Sequence, residues 1–400
     1  MHKARDKAKV ALVKAETYQF QTLWEGLART FDYLGGLPSL IPSNSKVLLK
    51  INHLSPPSPP ERAIVTHPEF TRAVIAHLQK IGCEIIVADD IFSRLKNGFQ
   101  LSKYQPMAEE MNVRLVNLKE LGFKKITLPG KRLRETFITP LFFECDYIVN
   151  LAKLKTHSLT TFTGAIKNFY GLIPYGLRLD YHRQFRQIPE FCEMLVDIYE
   201  VVKDKVCLNL MDAVVGQEGE GPSNGLPRFV GYILGSLDAV ALDAVASSLI
   251  NLSPGKVLTT LEAQSRDLGV GELDKITVVG ENLQEAQLID FKHSSAVNLV
   301  QKRIPNAIYI FIQNQLYLTP QILTDKCTIC RECIQVCPQQ TIHLVEKKVK
   351  VDASGCIHCL CCHEVCRFHA IKLKQKPIGW LFRQISSRLK SRKKKKPRAN

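Results

Sequence analysis

The chain has 400 residues, 45% of them apolar and 23% charged, a composition that excludes a mainly disordered or collagen-like polymer and leaves room for two or three domains. The formal net charge is +16, but residues 372–400 carry twelve Lys or Arg and no acid, which leaves +4 for residues 1–371. A nucleic-acid groove on the main body is therefore not implied, and the one long uncharged run, 304–324, is too polar for a membrane span, with Pro305, Asn306, Gln313, Asn314, Gln315, Pro320 and Gln321 in it.

Residues 1–7 mix charges and lack the apolar stretch of a signal peptide, so a non-secreted, cytoplasmic protein is expected. Residues 9–14 read as a first strand and 46–52 as a second, with a helical stretch over 18–33 between them. A proline-rich loop at 55–60 leads to Thr66, a candidate cap for a helix reaching Ile81, after which Gly82 closes the helix and 84–90 reads as a strand. Further strands are expected at 113–118, 147–151, 206–211, 229–234 and 276–279, and helices at 237–249 and 257–268. Strands alternating with helices predict an α/β domain with a largely parallel sheet over residues 1–300. A connector at 301–322, a small α+β ferredoxin-like domain at 323–374 and a basic tail at 375–400 follow.

Nine of the thirteen cysteines lie between Cys327 and Cys366, which points to metal and not to disulfides. Cys327, Cys330, Cys333 and Cys337 repeat the C-x2-C-x2-C-x3-C spacing of Cys356, Cys359, Cys362 and Cys366. Three cysteines on a tight loop can hold three iron corners while the fourth reaches across to the other cluster. The expected ligand sets are Cys327, Cys330, Cys333 and Cys366 for one [4Fe-4S] cluster, and Cys356, Cys359, Cys362 and Cys337 for a second. Zinc needs only four ligands and does not call for two such copies. The module resembles bacterial-type two-cluster ferredoxins, with Arg367 where that family usually has proline. Cys361 is surplus to the eight: a small residue beside a cluster, or an exchange partner of Cys362. Cys83, Cys145, Cys192 and Cys207 read as small buried apolar residues.

In the α/β domain, residues 150–159 and 163–168 concentrate cations and hydroxyls just after an expected strand, where open α/β sheets bind ligands. Lys155, His157 and Lys167 are candidate catalytic groups, and Lys50, Lys153, Asn168 and His182 candidate contacts for an anionic ligand such as a phosphate or carboxylate. Lysines stabilise negative charge and an imidazole titrates near neutral pH, while a helix N-terminus near Thr163 could add N–H groups. A solvated basic loop is the alternative. The glycine-rich stretch 216–225 carries Glu218 and Glu220 and is broken by prolines, so it is a poor nucleotide loop; with Asp212 its acids could hold a divalent metal.

Lys50 and Asn52, the run 150–157, 164–168, His182, Asp212-Ala213, 218–223 and 238–243 together resemble the family known as domain of unknown function 362, although Ile51 stands where many of its members have proline. The resemblance implies an α/β fold linked to redox. The leading expectation is an iron–sulfur protein moving electrons through two [4Fe-4S] clusters to or from an anion in the α/β domain, an oxidoreductase with a redox partner protein and a further small ligand. The alternatives are a non-catalytic electron carrier or assembly protein, and structural or sensory clusters. Residues 378–390 place apolar side chains at helical spacing before a run of lysines, which suits an anionic membrane surface and equally suits docking onto the protein's own body with a solvated end; nucleic acid is the less favoured partner for that tail.

Overall fold

The computed structural model describes residues 8–54, 57–91, 98–294 and 315–375. The basic tail expected to meet a membrane, and most of the expected connector, lie outside the described residues.

A nine-stranded sheet organises the α/β region. Its strands are β1 (Ala8–Lys14), β2 (Lys46–Ile51), β3 (Glu84–Asp89), β4 (Arg114–Asn117), β7 (Tyr147–His157), β8 (Thr161–Thr163), β9 (Val206–Glu218), β10 (Leu226–Ser236) and β11 (Ile276–Gly280), and a separate hairpin is made by β5 (Lys124–Thr127) and β6 (Glu135–Ile138). The order is β11-β1-β10-β9-β7-β2-β3-β4, with β8 folded back on β7. Pairing is parallel except where β10 meets β1 and β9, and at the β7–β8 hairpin. The mostly parallel, helix-covered sheet agrees with the expected class.

Burial on both faces explains why Val47–Leu49 and Ile85–Ala88 read as continuous apolar runs. One face packs on the helix Phe20–Tyr33, through Leu23, Leu27 and Phe31 at helical spacing, and on the helix Pro68–Lys80. The other carries Ile188–Val202 and Ala239–Leu249. The Pro68–Lys80 helix is capped by His67, whose ring accepts from Glu69 N, and not by Thr66. The Thr66 hydroxyl instead donates to Leu151 O and accepts from Asn52 N, tying the chain after β2 to β7.

The ferredoxin-like region consists of β12 (Leu318–Ile322), β13 (Ile342–Val345), β14 (Lys348–Val351), β15 (Ile371–Gln375) and two one-turn helices, Glu332–Gln335 and Cys361–Val365. β12 pairs with β15 and β13 with β14, so the beginning and end of the module are joined. Left-handed backbone recurs at matching places in the two cysteine arrays: Ile329 and His358, Arg331 and Leu360, Gln340 and His369. Non-glycine residues, one of them β-branched, accept this conformation in both copies, which marks it as built in and not accidental.

Candidate functional site

The C-terminal ends of β2, β3, β7 and β9 meet at one edge of the sheet, and the ferredoxin-like module sits over that edge. The contact is made by the turn between β9 and β10. Its Ser223 Oγ donates to Glu364 O, Asn224 Nδ2 donates to His363 O, and Arg62 donates to Ser223 O at 2.9 Å while its other contact is His369 Nε2. Thr156 anchors the turn by donating to Gly219 O at 2.8 Å. Gly221 passes so close to β7 that a Cβ there would meet Thr156 O at 2.1 Å. Tyr175 and Leu179, on the helix Tyr175–Gln184, pack on the ferredoxin core.

Between the two parts lies a cavity of about 90 Å³, lined from below by Lys50, Asn52, Asp89, Lys155, Thr163, Lys167, Asn168, Arg178 and His182, and from above by Cys361, Glu364 and Val365. Lys50 is paired with Asp89 at 3.0 Å and Arg178 with Asp90 at 2.8 Å. Lys155 has no carboxylate partner within 4 Å among the described residues; it donates to Asn52 Oδ1 at 2.7 Å and to Ile64 O at 2.8 Å. Lys167 likewise has no ion-pair partner among them and lies 5.8 Å from the Tyr170 ring centroid. Two lysines therefore face one carboxylate, Glu364. Burial pushes the Lys155 ammonium well below its ordinary pKa, helped by repulsion from Lys167 and Lys153, and burial lowers Lys167 as well. The Thr163 hydroxyl and Glu364 Oε1 are buried in this lining without a hydrogen-bond partner among the described residues.

Lys155 is aimed by a chain of buried amides. Asn52 Nδ2 donates to Asn168 Oδ1, Asn168 Nδ2 to Asn150 Oδ1, Asn150 Nδ2 to Asn209 Oδ1, and Asn209 Nδ2 to Ser236 O. Each amide thus leaves its oxygen for the preceding donor, and the first oxygen receives the lysine.

The residues singled out from the sequence divide into three groups. Lys50, Lys155, Lys167, Asn168 and His182 line the cavity. His182 stacks on Phe191 with centroids 4.3 Å apart, and burial lowers its pKa to about 3, so it is neutral. His157 stands behind the lining: its Nδ1 accepts from Leu159 N at 3.0 Å, which puts the proton of the neutral ring on Nε2, 3.6 Å from Glu364 Oε1. Lys153 is not brought to the cavity; it is buried against Asp212 at 2.7 Å and Tyr18 OH at 2.9 Å, so its expected role as an anion contact is revised to a structural one.

Three further readings change. Residues 150–157 are the last eight of the eleven residues of β7 and not a loop. The N–H groups of Ala165 and Ile166, expected to face an anion, are taken by the Asp243 carboxylate at 2.6 and 3.1 Å. The acids near 216–225 do not gather on a metal: Asp212 serves Lys153, Glu218 accepts from Lys292 N and Glu220 from Ser158 Oγ. Among the described residues no three His, Cys, Asp or Glu side chains converge as a single ion requires.

The array cysteines line two separate hollows. Cys327, Cys330, Cys333 and Cys366 surround one, with Val349 and Phe368; Cys337, Cys356, Cys359 and Cys362 surround the other, with Ile342 and Val351. Ala370 N donates to the Cys366 sulfur and Thr341 N to the Cys337 sulfur, both at 3.3 Å, so each crossover cysteine has an amide placed to stabilise a thiolate. These donor sets fit multi-iron clusters. Arg367 is ion-paired with Glu332, on the helix of the other array, in place of the usual proline. Cys83, Cys145 and Cys192 are buried and Cys207 is half-buried.

Glu364, Asp89, Arg178, Tyr175 and Asn209 were missed from the sequence. Only Asp89, at a strand end, carried a local signal; the others enter through contacts between distant segments.

The sequence model described as a 4Fe-4S dicluster domain matches residues 319–367, making the chain an iron–sulfur protein of electron-carrying type. A relative, the thylakoid-associated protein sll1697 of Synechocystis sp., is 28% identical over 259 residues, covering 64% of this chain and 78% of that protein. Among solved structures, the lactate racemase apoprotein of Thermoanaerobacterium thermosaccharolyticum shares 15% identity over 59% of this chain and 55% of its own, with a TM-score of 0.36. A Thermotoga maritima protein solved by structural genomics shares 15% identity over 57% of each chain, also at 0.36. This chain spans only a little over half of either solved protein, and likeness at that level carries no argument about activity. The family described as a domain of unknown function, DUF362, matches residues 47–248, just over half of the chain, and the protein belongs to that family, joined to a 4Fe-4S dicluster domain.

Proposed function

We propose that the protein is an oxidoreductase in which two [4Fe-4S] clusters exchange electrons with a small oxyanion, a carboxylate or phosphate, held in the cavity between the two parts. The observation that carries this reading is the shared wall: Lys155 and Lys167, which have no carboxylate partner within 4 Å among the described residues, and the ferredoxin helix Cys361–Val365 line the same cavity. The clusters, held by Cys327, Cys330, Cys333 and Cys366 and by Cys337, Cys356, Cys359 and Cys362, would supply one-electron transfer from a redox partner protein.

In this reading Lys155 and Lys167 bind the anion, Asn52 and the amide chain behind it hold Lys155 in place, and the Thr163 hydroxyl adds a donor. Lys50 is held by Asp89, and Gly171 leaves room for that pair, since a Cβ there would lie 2.5 Å from Asp89 Oδ1 and 2.7 Å from Lys50 Nζ. The Nζ groups of Lys155 and Lys167 are the proton donors and acceptors, because their lowered pKa values make loss of a proton easy. His157 serves by position, holding its Nε2–H toward Glu364.

A bound anion favours the ammonium form, so the lysine pKa is higher in the complex than in the free protein. Affinity is full below the free-protein pKa and falls as pH rises toward the bound one. Acetate, which stays an anion across the neutral range, should bind less tightly as pH rises and take up protons on binding. Calorimetry in buffers of different ionisation enthalpy measures that uptake; binding that strengthens with pH and takes up none contradicts the reading.

The Synechocystis relative is named for its association with thylakoids. Combined with the basic amphipathic sequence of residues 378–398, this favours peripheral contact with an anionic membrane surface. Full-length protein should float with anionic but not with neutral liposomes at physiological salt, and failure to float with either rejects the contact. Among the described residues no helix is long and apolar enough to cross a membrane.

A further inference from the structure

Asp243 is a buried acid, 1% exposed, that the proposed chemistry does not use. It lies within the helix Ala239–Leu249, and its carboxylate reaches across to the turn that follows β8. There Oδ1 accepts from Ala165 N at 2.6 Å and Oδ2 from Ile166 N at 3.1 Å. From the other side Asn150 Nδ2 donates to Ala165 O at 3.1 Å. The turn is thus clamped between a helix and β7, with three cavity residues around it: Thr163 before it, Lys167 and Asn168 after it.

The two lysines of the site depend on this clamp unequally. Lys155 Nζ is fixed at its own tip by Asn52 Oδ1 and Ile64 O. Lys167 Nζ has neither an ion pair nor a hydrogen bond among the described residues and lies 5.8 Å from the Tyr170 ring centroid, so its place is set by the backbone that carries it. We infer that Asp243 is a positioning residue for the anion site, whose two N–H bonds hold the turn so that Lys167 reaches the cavity. This rests on the anion reading proposed above. A side-chain amide at this position can accept from only one of the two N–H groups and turns its own NH2 toward the other, which releases one corner of the turn. The sign is distinctive: by Coulomb's law alone, removing a negative charge from the protein would tighten its hold on an anion.

The test is calorimetric titration of acetate into the anaerobic full-length protein and into Asp243→Asn, alone and combined with Lys167→Met or with Lys155→Met. Asp243→Asn should weaken acetate binding by about tenfold, cost less than about twofold more once Lys167 is replaced, and keep its full cost when Lys155 is replaced. Gly164→Ala, whose added Cβ would fall 2.1 Å from Asp243 Oδ1, disturbs the same clamp with every charge kept and should give the same pattern. Urea midpoints for each variant separate this from a general weakening of the fold, which lowers stability without choosing between the lysines. Unchanged or tighter binding in both variants, or an equal cost in both lysine backgrounds, overturns the inference while leaving the anion reading in place. Wild-type protein that takes up no acetate rejects that reading, and this inference with it.

Discussion

Methionine at Lys155 or at Lys167 should weaken binding of acetate and of inorganic phosphate by roughly thirtyfold each, about 2 kcal/mol, with iron and sulfide content unchanged. The size follows from removing a charge-assisted hydrogen bond inside a cavity where water competes poorly. The contrast with other cations in the same lining is as informative as the loss. Lys50 and Arg178 already spend their charge on Asp89 and Asp90, whereas Lys155 and Lys167 have no carboxylate of their own among the described residues and repel one another. For the same reason, Lys167→Met should leave stability unchanged or raised, since an unpaired ammonium held away from bulk water is a cost to folding. Calorimetric titration decides the first point and urea denaturation the second; two variants that bind like wild type would end the case for an anion at these lysines.

The opposite pattern is expected two residues away. Lys153 and Asp212 are paired at 2.7 Å with almost no exposed surface, and Tyr18 OH donates to Asp212 Oδ1 at 2.8 Å while stacking on His67 at 3.7 Å. Lys153→Met leaves a buried carboxylate without its counter-charge and should cost about 3–5 kcal/mol, while the double change Lys153→Met with Asp212→Leu should recover much of it. Anion binding by whatever protein remains folded should be near normal. Trp24, stacked on His77 at 3.7 Å in the same helical layer, gives a fluorescence signal for urea unfolding of the α/β domain. A cost below about 1 kcal/mol, or loss of anion affinity without loss of stability, would show that Lys153 belongs to the site after all.

The alternation of apolar strands and amphipathic helices made the α/β class readable because each parallel strand buries both faces and announces itself locally. The antiparallel course of β10 was not readable, since the direction of a strand depends on its partners. Spacing alone located the cysteine arrays, as iron corners must be met from one tight loop. For the candidate site, Lys50, Lys155, Lys167, Asn168 and His182 could be named from residue type and place. Their division of labour could not. Lys153 and Lys155 look alike in sequence, but a shift in the β7–β9 register between them sends one to Asp212 and the other to Asn52. Likewise Asp238 and Asp243 read as one motif, yet the first caps its own helix through Val240 N and Ala241 N, while the second caps the turn at Ala165. Glu364 enters the site only because the turn at 219–225 docks the ferredoxin helix over the sheet edge, a contact between segments more than a hundred residues apart in the chain.

A redox titration of the anaerobic full-length protein, followed by EPR with and without saturating acetate, tests the central proposal most directly. Two [4Fe-4S] centres that reduce and reoxidise without loss are predicted, one of which falls in potential when acetate is present, because an added negative charge beside a cluster opposes its reduction; by reciprocity the reduced protein then binds acetate less tightly. Centres that cannot be cycled, or two potentials indifferent to acetate, would contradict electron exchange between the clusters and an anion in this cavity.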